Sequence, residues 1–228
     1  MEQKVAIFDV DGTVFRSSMV IELVEALIEE GIFSKDVAKE YEREYRTWFE
    51  REGGYEEYIN AVVKTFMKHV KGVHYGTFCD ISKRVVERQG KRVYQYTRDL
   101  IKELKKDGHY ILAISQSPKT TVDEFCRNLG FDKVYGRIYE IGPQDLFTGI
   151  VVDEHLIMNK ATIVRRAVQK EHLTLKGSVG VGDTEGDIPF LELVERPLCF
   201  NPNKNLYQHA KRMGWSVIVE RKDVIYHL

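Results

Sequence analysis

The chain has 228 residues, with 34 basic and 35 acidic side chains and a formal charge of -1. That length buries a substantial core and accommodates one domain plus an insertion. The balanced charge leaves no electrostatic footprint for nucleic acid, and no apolar run approaches the roughly 20 residues of a membrane helix, so neither partner is expected.

The first predicted element is a strand over Lys4–Phe8, leading into Asp9-Val10-Asp11-Gly12-Thr13. No signal-peptide pattern precedes it. The three cysteines, Cys79, Cys126 and Cys199, are scattered and odd in number. Together these read as reduced thiols in a cytoplasmic protein. A helix follows near Met19–Glu30, with Val20, Leu23, Val24, Leu27 and Ile28 at a 3.6-residue period, Ser17 or Ser18 as its cap and Gly31 as its stop. Three further helical faces are marked by Val37 to Phe49, Tyr55 to Val70, and Phe78 to Val86, with Gly53-Gly54 as a break. Residues 16–91 therefore read as a helical insertion, and its aromatic stripe as helix-helix core or a dimer contact.

From Tyr94 onward helix and strand alternate. A helix over Thr97–Lys106 precedes the continuous apolar run Tyr110–Ile114, the mark of a buried parallel strand. A helix around Val122–Leu129 stops at Gly130, and Lys133–Val152 has the alternation of an antiparallel hairpin. Then come helix Ala161–Lys170, strand Ser178–Val181, helix Ile188–Val194, strand Leu198–Phe200, helix Leu206–Met213 and strand Ser216–Val219. This order predicts an α/β fold, a doubly wound, mostly parallel sheet with a Rossmann-like core (1-15 and 92-228) and an inserted helical cap (16-91).

Four polar motifs fall at the carboxyl ends of predicted strands or at the start of a helix beside them, where open α/β sheets bind ligands. Asp9 and Asp11 are two residues apart, so they face one way while the strand lasts. Paired carboxylates repel, and oxygen ligands favour Mg²⁺ or a similar hard ion. Ser115-Gln116-Ser117 offers a hydroxyl and backbone N–H groups for phosphate oxygens. Lys160 opens a helix within reach of an anion at the same edge. Gly182-Asp183-Thr184-Glu185-Gly186-Asp187 brings two more acids.

In that order, these motifs resemble the haloacid dehalogenase superfamily of phosphohydrolases over essentially the whole chain, and the insertion resembles its phosphoserine phosphatase-like branch. The resemblance implies roles. Asp9 is the nucleophile that forms an aspartyl-phosphate. Asp11 is the general acid and then the base, and its backbone carbonyl is a metal ligand. Asp9 and Asp183 complete the protein ligands to Mg²⁺, and Asp187 orients metal-bound water. Ser115, the Gln116 N–H and Lys160 hold phosphoryl oxygens, and Thr13 supports the turn and the Asp11 carboxyl. The expected partner is a small phosphorylated metabolite, and the expected state a monomer or homodimer.

The chain departs from the branch at several positions. Phosphoserine phosphatases carry a glutamate soon after the first motif, whereas here the first acid is Glu22, after Arg16. Gln116 stands where glycine is usual, and Thr184 and Gly186 where a glycine and an asparagine are usual. These changes leave the phosphatase chemistry in place and put L-phosphoserine in doubt as substrate. Arg16 and Glu22 are the candidate substrate contacts. The alternative readings are a phosphotransferase using the same aspartyl-phosphate, and a phosphate-binding regulatory protein.

Overall fold

A computed structural model describes residues 2–228. The chain opens with β1 (Gln3–Asp9), whose last five residues are buried. Then come α1 (Met19–Glu29), a 3-10 turn at Lys35–Glu40, α2 (Glu42–Phe49), α3 (Tyr55–His69), α4 (Tyr75–Gln89) and α5 (Gln95–Lys106). The second half runs β2 (Tyr110–Pro118), α6 (Lys119–Leu129), β3 (Lys133–Ile141), β4 (Phe147–Val152), α7 (Glu154–Ile157), α8 (Lys160–Lys170), β5 (Leu173–Gly182), α9 (Ile188–Leu191), β6 (Arg196–Phe200), α10 (Lys204–Met213), β7 (Ser216–Arg221) and β8 (Val224–His227).

The strands form one sheet in the order β4-β3-β2-β1-β5-β6-β7-β8. Pairing is parallel from β3 to β7, and the end strands β4 and β8 pair antiparallel. The expected α/β class with a mostly parallel sheet is what the structure has. β1 lies between β2 and β5, with Asp9 opposite Ile114 and Phe8 opposite Val181. The carboxyl ends of β1, β2 and β5 therefore meet at the switch point, where the topology opens a crevice.

Alternation sorts the strand side chains into two cores. Ala6 and Phe8 pack with Ala113, Phe125 and Val181 on one face, while Val5 and Ile7 pack with Ile114, Val164 and Phe190 on the other. A third apolar cluster joins α1, α3 and α4 around Leu27, Phe66, Phe78 and Ile81. It also takes in Tyr139 and Phe147 from the β3–β4 hairpin. Those two rings stand against Phe66 and Phe78 with centroids 5.4 and 5.0 Å apart. The hairpin thus anchors the helical insertion as well as extending the sheet.

Helix ends are set locally. Gly130 and Gly214 take left-handed backbone after α6 and α10. The start of α1 differs from the expected serine cap: Ser18 makes no side-chain cap bond, and the Met19 N–H donates to Asp11 Oδ1 at 2.6 Å. The stretch Val37–Phe49 is a 3-10 turn followed by a short helix. The additions beyond the sequence reading are α7 and β8.

Candidate active site

The site is assembled by strand ends. β1 delivers Asp9, which is 5% exposed, and the chain then turns sharply through Asp11-Gly12-Thr13. Gly12 has φ +82°, and a Cβ there would lie 2.1 Å from Asp183 Oδ2. Two constraints therefore coincide on glycine: left-handed backbone and the close approach of an acid from the end of β5. Gly182 is similarly crowded, since a Cβ would meet Asp187 at 2.6 Å.

Lys160, at the start of α8, is 5% exposed and donates to Asp9 Oδ1 at 2.6 Å and to Asp187 Oδ1 at 2.5 Å. Asp187 Oδ2 accepts the backbone N–H groups of Asp183 and Thr184. Both Asp187 oxygens are thus engaged in holding the Gly182–Asp187 turn against the lysine. Asp11 Oδ1 accepts from Met19 and Asp11 Oδ2 from the Ser115 hydroxyl at 2.6 Å. Ser115 Oγ in turn accepts the Ser117 N–H. Thr13 Oγ1 donates to Asp183 Oδ1 at 3.2 Å, and its carbonyl accepts from Thr97. The threonine thus braces Asp183, where the sequence reading had it support Asp11.

The electrostatics follow from burial. Desolvation pushes Asp9 up to about 7, against the pull of Lys160, and the charges of Asp187 and Asp11 add to the rise. Asp183 is also pushed well above the carboxylate range, by burial and then by Asp9 and Asp187. Burial alone would lower Lys160, but Asp187 and Asp9 outweigh it and hold the ammonium above the usual lysine range. One lysine among several acids leaves the cluster short of positive charge.

Donor chemistry tests whether a cation fits. Asp9, Asp183 and Asp187 place carboxylate oxygens within 4.8 Å of one another. Asp9 Oδ2 is buried without a hydrogen-bond partner, while both Asp187 oxygens are occupied. An all-oxygen set with a free buried carboxylate oxygen suits a hard divalent ion. Asp9 and Asp183 are the acids with capacity to hold it.

The haloacid dehalogenase-like hydrolase family model matches residues 6–192. The chain belongs to this family. Among curated relatives, a histidinol-phosphatase of Neisseria meningitidis is 24% identical over 95% of this chain and 98% of its own. A phosphoserine phosphatase of Archaeoglobus fulgidus is 25% identical over 90% of this chain and 54% of its own. The chain thus spans about half the length of that relative. A phosphoserine phosphatase solved as a phospho-aspartyl intermediate analogue shares the fold, with a TM-score of 0.61, 23% identity and coverage of 98% of this chain and 96% of that one.

In this hydrolase the remaining predicted residues are dispersed. Gln116 is exposed beside Ser115. Glu22 is 8% exposed, and its carboxylate takes Arg92 Nη1 at 2.6 Å. Arg16 is exposed, and its backbone N–H bonds the Arg92 carbonyl. Both therefore sit where the chain enters and leaves the helical insertion. Tyr55, at the start of α3, had not been singled out. Burial raises its hydroxyl, and the charges of Asp11 and Asp183 add to the rise. Its ring packs on Trp48, which stacks on Tyr58 with centroids 5.4 Å apart. The available signal was an aromatic directly after the Gly53-Gly54 break. No helix among the described residues is long and apolar enough to cross a membrane.

Proposed function

We propose that this protein is a Mg²⁺-dependent phosphomonoester hydrolase working through an aspartyl-phosphate on Asp9. The observation that carries the reading is the buried Asp9 Oδ2, without a partner, in a carboxylate held from its other oxygen by Lys160. Burial strips such a carboxylate of water, and the lysine fixes its orientation, as a nucleophile requires.

The Asp9 carboxylate attacks phosphorus, and the bond to the leaving oxygen breaks. Asp11, hydrogen-bonded to Ser115, gives its proton to that oxygen. Asp11 then takes a proton from water, whose oxygen attacks the phosphorus and frees Asp9. Ser115, the Gln116 N–H and Lys160 neutralise the phosphoryl oxygens. Asp9, Asp183 and the Asp11 carbonyl would hold Mg²⁺, which when bound would supply charge neutralisation between the two anions. Asp187 and Thr13 position Lys160 and Asp183. The helical segment 16–91 acts as a cap that excludes water from the phosphoryl transfer. The relatives named for phosphoserine and histidinol phosphate support a small phosphorylated metabolite as substrate. The free cysteines Cys79, Cys126 and Cys199 suit a reducing compartment such as the cytoplasm.

Hydrolysis of p-nitrophenyl phosphate tests the reading. With Mg²⁺ the wild type is expected to turn over, EDTA to abolish it, and Asp9→Asn to lower kcat by at least about 10³-fold. Turnover that survives Asp9→Asn sinks the mechanism. Phosphoryl transfer to an added alcohol in preference to water makes the protein a phosphotransferase.

A further inference from the structure

Two cationic side chains are buried among the described residues, Lys160 and Arg137, and their surroundings are opposite. Lys160 holds two carboxylates. Arg137, 6% exposed, holds none: its Nε has no partner, and its Nη2 reaches the Met158 thioether at 3.4 Å. The Tyr139 phenol is also close to it: burial raises that group to about 12, and Arg137 draws it down. A guanidinium does not lose its proton inside a protein. A buried charge without a counterion is strongly unfavourable, and a thioether is a weak acceptor.

Register places this charge beside the reaction centre. Asp9 lies opposite Ile114, and Ile114 opposite Tyr135. Ile114 and Tyr135 pack in the same apolar cluster as Ile7, which is two residues before Asp9. Tyr135 therefore shares the sheet face of Asp9, and so does Arg137, two residues on. Arg137, still within β3, stands beyond the carboxyl end of β1 and opposite Pro118 at the end of β2, where the β2–β3 register shifts after Ile114. Its backbone lies two strand spacings across and two residues along from that of Asp9, about 12 Å away. Met158, which it touches, is two residues before Lys160.

We propose that Arg137 is a specificity-determining residue that binds a second oxyanion of the substrate, a carboxylate or a further phosphate, beside the phosphoryl pocket. The inference rests on the phosphomonoesterase reading above. It selects a compact substrate, because the arginine side chain itself spans much of the distance to the phosphoryl pocket. It also accounts for a buried charge between Tyr135 and Tyr139 on this strand face: a guanidinium meets a planar carboxylate or a phosphate with paired N–H donors.

The test compares phosphoglycolate and ethanediol bisphosphate with 2-hydroxyethyl phosphate, the same skeleton without a second anion, using the Mg²⁺-loaded wild type, Arg137→Met and Arg137→Lys. In Arg137→Met, kcat/KM for one or both charged substrates is expected to fall about 10–100-fold further than for the uncharged one, through KM. Arg137→Lys is expected to recover part of that loss. Which of the two falls identifies the oxyanion. Equal losses on all three substrates overturn the proposal and leave Arg137 a structural residue, and so does no loss on any. Calorimetric titration of phosphoglycolate and ethanediol bisphosphate into wild type and Arg137→Met provides an independent readout. If the wild type turns over no phosphomonoester, the hydrolase reading fails; the titration still decides the anion, with equal affinities overturning it.

Discussion

The carboxyl edge of the sheet and the helical insertion are held together by different forces, and the contrast shows which of them chemistry can use. At the edge, Asp9, Lys160 and Asp187 are buried charges tied by short hydrogen bonds. Their geometry is fixed because Asp9 Oδ1, the Lys160 ammonium and both Asp187 oxygens each have a specific partner, which leaves Asp9 Oδ2 as the free atom. In the insertion, Leu27, Phe66, Phe78 and Ile81 are buried with no polar link among them. Their packing is non-directional and tolerates exchange of shape at constant volume. The edge therefore suits a reaction that must be repeated with one geometry, and the insertion suits a cover that moves and diverges.

The largest expected effect is on the charged side. Lys160→Met leaves Asp9 and Asp187 facing each other without a buried cation. Activity should fall by at least about 10³-fold, with a stability loss of about 3–5 kcal/mol in EDTA. Steady-state kinetics and chemical denaturation measure both, and near-wild-type stability would show that the cluster is held by something other than the lysine. On the apolar side, Phe66→Ala should cost about 3–5 kcal/mol, and Phe66→Leu well under half of that. If Phe66→Leu were as damaging as Phe66→Ala, the contrast between the regions would collapse.

The smallest effect sharpens the comparison through pH. Asp9 and Asp183 titrate higher when folded than when unfolded. Between about pH 4 and 7 the folded state therefore binds more protons than the unfolded state. Without metal, the stability from these groups is fully present below the unfolded carboxylate range and is lost as pH rises towards 7. In EDTA the Tm should fall by a few degrees from pH 5 to pH 7.5, and Mg²⁺ should restore it more at pH 7.5 than at pH 5. A Tm rising over that range in EDTA would contradict the burial assigned to these acids.

Much of the edge was legible in the chain because period-two alternation and glycine punctuation are local signals. Asp9, Asp11, Ser115 and Asp183 each follow an apolar strand run, and the structure brings them and Lys160 to one crevice. Glu22 was read as a substrate contact because it is the first acid after the motif. Its partner, Arg92, lies 70 residues away, and the pairing depends on how the two ends of the insertion meet. The hairpin Lys133–Val152 was visible as alternation, but its role in the insertion's core was not, because Tyr139 and Phe147 reach a helix far from them in sequence. Arg137 and Tyr55 were overlooked for the same reason: a single arginine or tyrosine is ordinary until its surroundings are known.

The sequence by itself determined the α/β alternation, the helical stretch between the first two strands and the order of the four motifs. All of these are written in residue spacing along a continuous segment. Only the tertiary structure decided that Lys160 is shared between Asp9 and Asp187, that Thr13 braces Asp183 and Asp11 meets the first turn of α1, and that Arg137 is buried without a carboxylate. Those outcomes depend on which side chains lose water together, and desolvation is a property of the assembled fold that no local pattern encodes.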